Sequence, residues 1–173
     1  YVDSNAAGAN NGTTKADAFL TIAQAMAAVL DGGDVYVDSN HTDSHTANDT
    51  LSPANDVTGV SVISTNFTTD DYVAGATVTS TAGITFSTNT RIQIVWYGFS
   101  VIASGTSFDL KAGTGSHARY VDCSLVFNNG SGAINISADG SIVEFIRGSI
   151  DLIGSSNKFR LAGGSTLKLL SVE

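Results

Sequence analysis

Arg119 and Glu144 stand one interval of about 25 residues apart in this chain, and Asp122 and Arg147 share the same interval. A fold that repeats with that period would place each acid beside a base on the adjacent repeat, where such a pair could serve in proton transfer. These four residues are the candidate catalytic group. The alternative reading makes them two cross-strand ion pairs on the solvent face, each worth under about 1 kcal/mol. One feature weighs against catalysis: no two acids fall on neighbouring repeats of one column, as a retaining or inverting carboxylate pair requires. Asp109, Asn135 and Arg160 form a third polar column, flanked by apolar residues, and this reads as an outward-facing ladder.

His41 and His45 are the candidate metal ligands, with Asp43 or Asp49 as a further donor. Spacing of four brings two rings to one side of a helix, but the polar stretch from Asp38 to Asp49 reads as a loop, where it does not. No metal site is expected there. Trp96 and Tyr97 could stack on a sugar ring if exposed, although packing in the core or at a corner is expected for at least one of them. Cys123 is the single cysteine, so no disulfide forms within the chain, and it reads as a small packing residue rather than a nucleophile. The six Asn-x-Ser/Thr triplets are what chance gives in so Asn- and Thr-rich a sequence.

The elements that would position these side chains can be read from composition and period. With 173 residues and 42% hydrophobic content, the chain can bury a core as one domain or one stretch of a repeat array. Eighteen glycines, one proline and many Ser, Thr, Asn and Asp residues indicate short strands joined by tight turns. Acids outnumber bases by 16 to 8 and the bases form no run, which argues against a nucleic acid partner. No apolar run is long enough to span a bilayer, so no membrane partner is expected. The sequence opens at Tyr1 without an initiator Met or a signal peptide, and so reads as a processed or partial chain.

In the carboxyl half, Val95, Tyr120, Phe145 and Leu170 recur at a constant interval of about 25 residues and are the expected core column. Ile102, Phe127 and Leu152 share that interval, as do Ser100, Leu125 and Ile150. A second strand recurs as Ile84/Phe86, Phe108/Leu110, Ile134/Ile136 and Phe159/Leu161, and Val35/Val37 precede Val60/Val62 by one period. Glycine-rich corners at Gly113, Gly140 and Gly164 keep step with them, and Gly98, Cys123 and Gly148 share a column suited to a small residue at a tight bend. Ser64 to Gly83 fits the register poorly, which indicates a loop excursion. Leucine-rich repeats have a similar length, but their consensus is absent, and a β-sandwich would not explain the columns. The one convincing helix is Ala16 to Leu30, with Ile22, Ala25, Met26, Val29 and Leu30 on one face, Thr21 or Asp17 as its cap and Gly32-Gly33 as its stop. The domain plan is therefore an opening segment with a capping helix over residues 1–34 and coils over residues 35–173.

The opening combines Tyr1-Val2, a Gly/Asn loop at Asn10 to Gly12, the Gly12-Thr13 step, Phe19 to Ile22, and Gly33 to Val37. In that order and spacing it resembles the first segment of right-handed parallel β-helix proteins of the pectate-lyase-like superfamily, both secreted and phage-borne. The resemblance implies an all-β fold, a single-stranded right-handed parallel β-helix of about 25 residues per coil closed by an N-terminal helix. It also implies a non-catalytic structural or adhesion role on a virion surface, as a phage tail or capsid-decorating component that can bind glycan. The alternative is a fragment of a secreted polysaccharide lyase or hydrolase. The location implied is a virion surface or the extracellular space, with no cofactor required, although Ca²⁺ is an ion such enzymes often hold. Ser165 to Glu173 begins another coil whose Leu167, Leu169, Leu170 and Val172 cannot all be buried by the coil before it. The cover expected there is further sequence of the same polypeptide, with the coils incomplete at the carboxyl end, together with copies of the same chain, as in a trimer, or other virion proteins as partners, and a polysaccharide is a further candidate partner.

Overall fold

A computed structural model of the chain describes residues 1–54, 57–86, 90–105, 108–109, 113–128, 133–136, 140–153 and 158–173. Strands with period-two burial dominate. In β1 (Asp34–Asp38), Val35 and Val37 are buried while the residues between them face outward, as pleating requires. Directly above it stack β4 (Val60–Thr65), β7 (Gln93–Tyr97), β10 (His117–Val121), the first half of β13 (Ile142–Ile153) and β15 (Thr166–Val172). A second face carries β2 (Thr42–His45), β5 (Thr77–Ser80), β8 (Ser100–Ala103), β11 (Ser124–Asn128) and the second half of β13. The third holds β3 (Asp49–Thr50), β6 (Ile84–Thr85), β9 (Phe108–Asp109), β12 (Ala133–Ile136) and β14 (Lys158–Leu161). Every ladder among the described strands is parallel, so the chain is a β-solenoid of stacked coils about 25 residues apart.

The core column on the first face runs Val35, Val62, Trp96, Tyr120, Phe145, Leu169. Two of its expected members are displaced. Val95 sits beside Arg119 and faces outward, and Leu170 pairs with Ile146 while Leu169 takes the core position. The physical reason is a slack period: the step from Gln93 to its partner His117 is one residue shorter than the step from His117 to Ile142, and the step from Ile142 to Thr166 is again one shorter. In a strand a slip of one residue turns a side chain from core to solvent. The same slip puts Ala103, rather than Ile102, beneath Phe127 and Leu152, and leaves Ile102 39% exposed. It also puts Val101, rather than Ser100, beneath Leu125 and Ile150. Near the start Val35 pairs with Val62 instead of Val60. The third-face column Ile84, Phe108, Ile134, Phe159 stacks as the spacing predicts. Leu110 lies outside the described residues.

Aromatic contacts fill the interior. Trp96 meets Phe86 and Phe99 edge-on at 5.1 and 5.3 Å, and Tyr120 stacks on Phe145 at 4.9 Å. Between the first and second faces the chain turns through a left-handed residue in successive coils: Gly98, Asp122, Arg147 and Ser171 have φ of 72°, 53°, 51° and 56°. Gly98 therefore shares its column with Asp122 and Arg147, one place before Cys123 and Gly148. A Cβ on Gly148 would lie 2.2 Å from the Cys123 carbonyl oxygen, which explains the absence of a side chain there.

The helix is shorter than its apolar periodicity predicts. It spans α1 (Ile22–Ala28), because Thr21 and Gln24 close a capping box at its start and the residues before it run extended, with Phe19 bridged to Val2. Asp17 instead accepts a hydrogen bond from the Ala9 N–H. Ile22, Ala25 and Met26 are buried over the first coil and Val29 packs against them, whereas Leu30 is 76% exposed beyond the helix end. At the opposite end β15 lies on β13, with Leu167 and Val172 packed on the core and Leu169 and Leu170 each about half exposed. Among the described residues no helix is long and apolar enough to cross a membrane.

The corrected register gives a direct test. Trp96→Ala should lower unfolding stability by about 3–5 kcal/mol, as loss of a buried aromatic does, while Val95→Ala should cost about 1 kcal/mol or less. Urea denaturation of the two variants measures both, and the reverse ranking would contradict the observed column.

Candidate functional site

The break in the repeat builds a concavity. Between β4 and β7 the step, from Val60 to Ile94, is longer than any other between adjacent strands of that face, and residues 66–74 leave the coil and return across the corner. Buried Ser64 fixes the return: its hydroxyl donates to the Val73 carbonyl at 2.7 Å and accepts from the Ala76 N–H at 3.1 Å. An antiparallel bridge from Thr65 to Tyr72 holds the excursion against the strand. Gly98 admits it, since a Cβ there would lie 2.9 Å from Ala74 Cα and 3.0 Å from the Tyr72 hydroxyl.

Tyr72 is thereby carried to the corner residues of later coils. Its hydroxyl donates to Asp122 Oδ2 at 3.3 Å, and its ring stands edge-on to Tyr97 with centroids 6.4 Å apart. Arg147 clamps the same carboxylate with two bonds, Nε to Oδ1 at 3.0 Å and Nη2 to Oδ2 at 2.9 Å. Together with Ser61 and Ile63 these residues line a shallow depression of about 440 Å³. The Arg147 hydrogen bonds hold the Asp122 carboxyl below its usual range. Burial, and then the Asp122 charge, push the Tyr72 phenol up to about 12. At neutral pH the site thus presents an ionised acceptor, a guanidinium donor, a phenol donor and two ring edges or faces.

Of the candidate catalytic residues, Asp122 and Arg147 meet here, and Arg119 and Glu144 meet elsewhere on the first face. Glu144 Oε2 accepts from Arg119 Nε at 2.8 Å and Oε1 from Lys168 Nζ at 2.7 Å, while His117 Nε2 lies 2.8 Å from Oε2. These side chains cover Glu144 so fully that an outward-facing acid is buried. Lys168, then Arg119 and His117, outweigh that burial and lower its carboxyl to about 2. The two acids lie in different columns, so the structure forms two separate cross-coil charge clusters, one around Glu144 and one at Asp122–Arg147.

Trp96 is buried at 1% exposure and is no sugar platform, which corrects half of the stacking expectation; Tyr97 is the outward member of that pair. Cys123 is also buried, and burial pushes its thiol up to about 12, in keeping with a packing role. Asp109, Asn135 and Arg160 share a backbone column. Tyr72 was hidden from the sequence reading, and the one signal pointing to it was the misfit of Ser64 to Gly83 with the period.

Within the stretch predicted to be a loop, Thr42–His45 forms strand β2, whose alternation points Asp43 and His45 into the interior, and His41 just before it is buried as well. Asp43 Oδ2 accepts the Ile22 N–H at 2.8 Å, His41 Nδ1 accepts the Ser4 N–H at 3.0 Å, and His45 Nδ1 meets Asp49 Oδ2 at 2.9 Å. The Nδ1 lone pair of His41 is thus taken up by the Ser4 N–H. Among the described residues no group of three or more His, Cys, Asp or Glu is arranged to hold a metal ion. The cluster ties the opening segment and the helix to the first coil.

Because the Glu144 carboxyl is lowered from 4.5 to about 2, its contribution to stability is present above its ordinary range and lost as pH falls toward 2. Wild type should therefore be more stable than Glu144→Gln at pH 7, and the gap should close between about pH 4.5 and pH 2. Unfolding curves of both proteins across that range test this, and a gap independent of pH would contradict it. No protein-family model matches this chain, and no curated protein or solved structure matches it either.

Proposed function

We propose that this chain is a non-catalytic β-solenoid module of a virion or other extracellular surface, and that it binds neutral glycan at the Tyr72–Tyr97 depression. The observation that carries the reading is two tyrosine rings converging beside the Asp122–Arg147 clamp in an open, shallow site. Aromatic rings contact the apolar C–H faces of a sugar, and an acid paired with a guanidinium offers an acceptor and a donor to its hydroxyls. The ion pair neutralises the site locally, and a net charge of −8 disfavours polyanions, so the ligand is uncharged.

A catalytic role is less well supported. A general acid works best with a pKa near the working pH, whereas Asp122 and Glu144 are both held below the usual carboxylate range.

Calorimetric titration with cellohexaose and chitohexaose, two neutral extended glycans, tests the proposal. Binding should weaken roughly ten-fold or more, about 1.4 kcal/mol, in Tyr97→Ala. No new reducing ends should form. Depolymerisation abolished by Asp122→Ala would replace this reading with an enzyme.

A further inference from the structure

The excursion that supplies Tyr72 to one depression supplies Phe67 to another. Tyr1 stacks on Tyr36 at 5.7 Å and 29°, and meets Phe67 edge-on at 5.6 Å. Lys15 donates to the Phe67 carbonyl at 2.7 Å, lies over the Phe67 ring and pairs with Asp70. Thr65 completes the lining of a second shallow hollow of about 270 Å³. Both hollows therefore combine an outward tyrosine of the first face, an aromatic from the same excursion, and one acid–base pair that cancels its own charge.

Their separation is set by the sheet. Tyr36 pairs with Ile63 and Ile63 with Tyr97, so the two tyrosines occupy one outward column with a single coil between them. Two strand spacings amount to about 9.6 Å along the solenoid axis. An extended glycan of equatorially linked pyranoses advances by about that length every second ring, and alternate rings present the same face.

We infer that the two hollows are subsites for one neutral, extended glycan chain lying along the solenoid axis, with sugar rings n and n+2 against Tyr97 and Tyr36. This rests on the glycan-binding reading above and adds its direction, minimum length and linkage geometry. The coil between the subsites offers Ile63, a flat apolar surface over which the intervening ring passes. Joining two weak subsites through one ligand makes the second contact intramolecular, so affinity should rise steeply once a chain is long enough to reach both.

The experiment is a calorimetric series on the full chain with cellobiose, cellotetraose and cellohexaose, repeated with the chitin oligomers. Affinity should rise roughly ten-fold or more between the dimer and the longer chains. Tyr36→Ala and Phe67→Ala should each flatten that rise, and Tyr36→Phe should restore it, which a general loss of folding would not do. Equal affinity for dimer and hexamer, lost in Tyr97→Ala, would overturn the two-subsite inference while leaving a single glycan site. Absence of binding at every length and with both glycans would overturn both.

Discussion

Parallel backbone hydrogen bonding between successive coils is the constraint on which everything else in this protein depends. Once Arg119 is fixed opposite Glu144, and Tyr120 opposite Phe145, every residue of those strands has a vertical neighbour at one strand spacing. The interior column of this face is then apolar at successive levels, built from Val62, Trp96, Tyr120 and Phe145. Exterior columns face the opposite problem, because like charges directly stacked repel. The chain answers by alternating sign, with Arg119 below Glu144 and Glu144 below Lys168, and with Asp122 below Arg147. The ion pairs are thus a consequence of stacking before they are anything else.

A stack of coils leaves its first coil open, and the way this end is closed explains the polar residues buried inside it. A helix of seven residues is too short to hold itself together in water, so α1 depends on what it packs against. Ile22, Ala25 and Met26 supply the apolar contact, and Asp43 accepts the N–H of Ile22, one of the helix-start donors that no helical carbonyl can satisfy. His41 does the same for Ser4 in the opening segment. An interior Asp between two His would be costly if unpaired. Here the carboxylate and the two Nδ1 atoms each meet a partner, so the polar cluster specifies how the cap sits.

How far the sequence revealed this depends on the kind of signal. The solenoid, its third-face column, the end cap and the cross-coil pairs Arg119–Glu144 and Asp122–Arg147 were legible, because recurrence at a nearly constant interval survives a slack of one. Core membership on the other faces was less legible, since side chains alternate with period two and a step that is one residue short exchanges Trp96 for Val95. Periodicity of apolar residues overextended the helix to Ala16 and Leu30, because Thr21 and Gln24 cap it within that pattern. The strand nature of Thr42 to His45 was masked by its composition. Polar residues at inward positions mimic a loop, and only the third dimension shows that they serve the cap.

The candidate site belongs to the same logic. A regular solenoid presents flat faces, and a flat face has no concavity in which to hold a small ligand. Concavity arises here where the coil is lengthened and residues 66–74 fold back over the corner. That detour needs a buried hydroxyl at Ser64 to satisfy its backbone and a glycine at position 98 to let it approach. It then contributes Phe67 on one side and Tyr72 on the other, over the column already carrying Tyr36 and Tyr97. The irregularity that blurs the repeat in the sequence is therefore also what gives an otherwise flat-faced solenoid its concave surface.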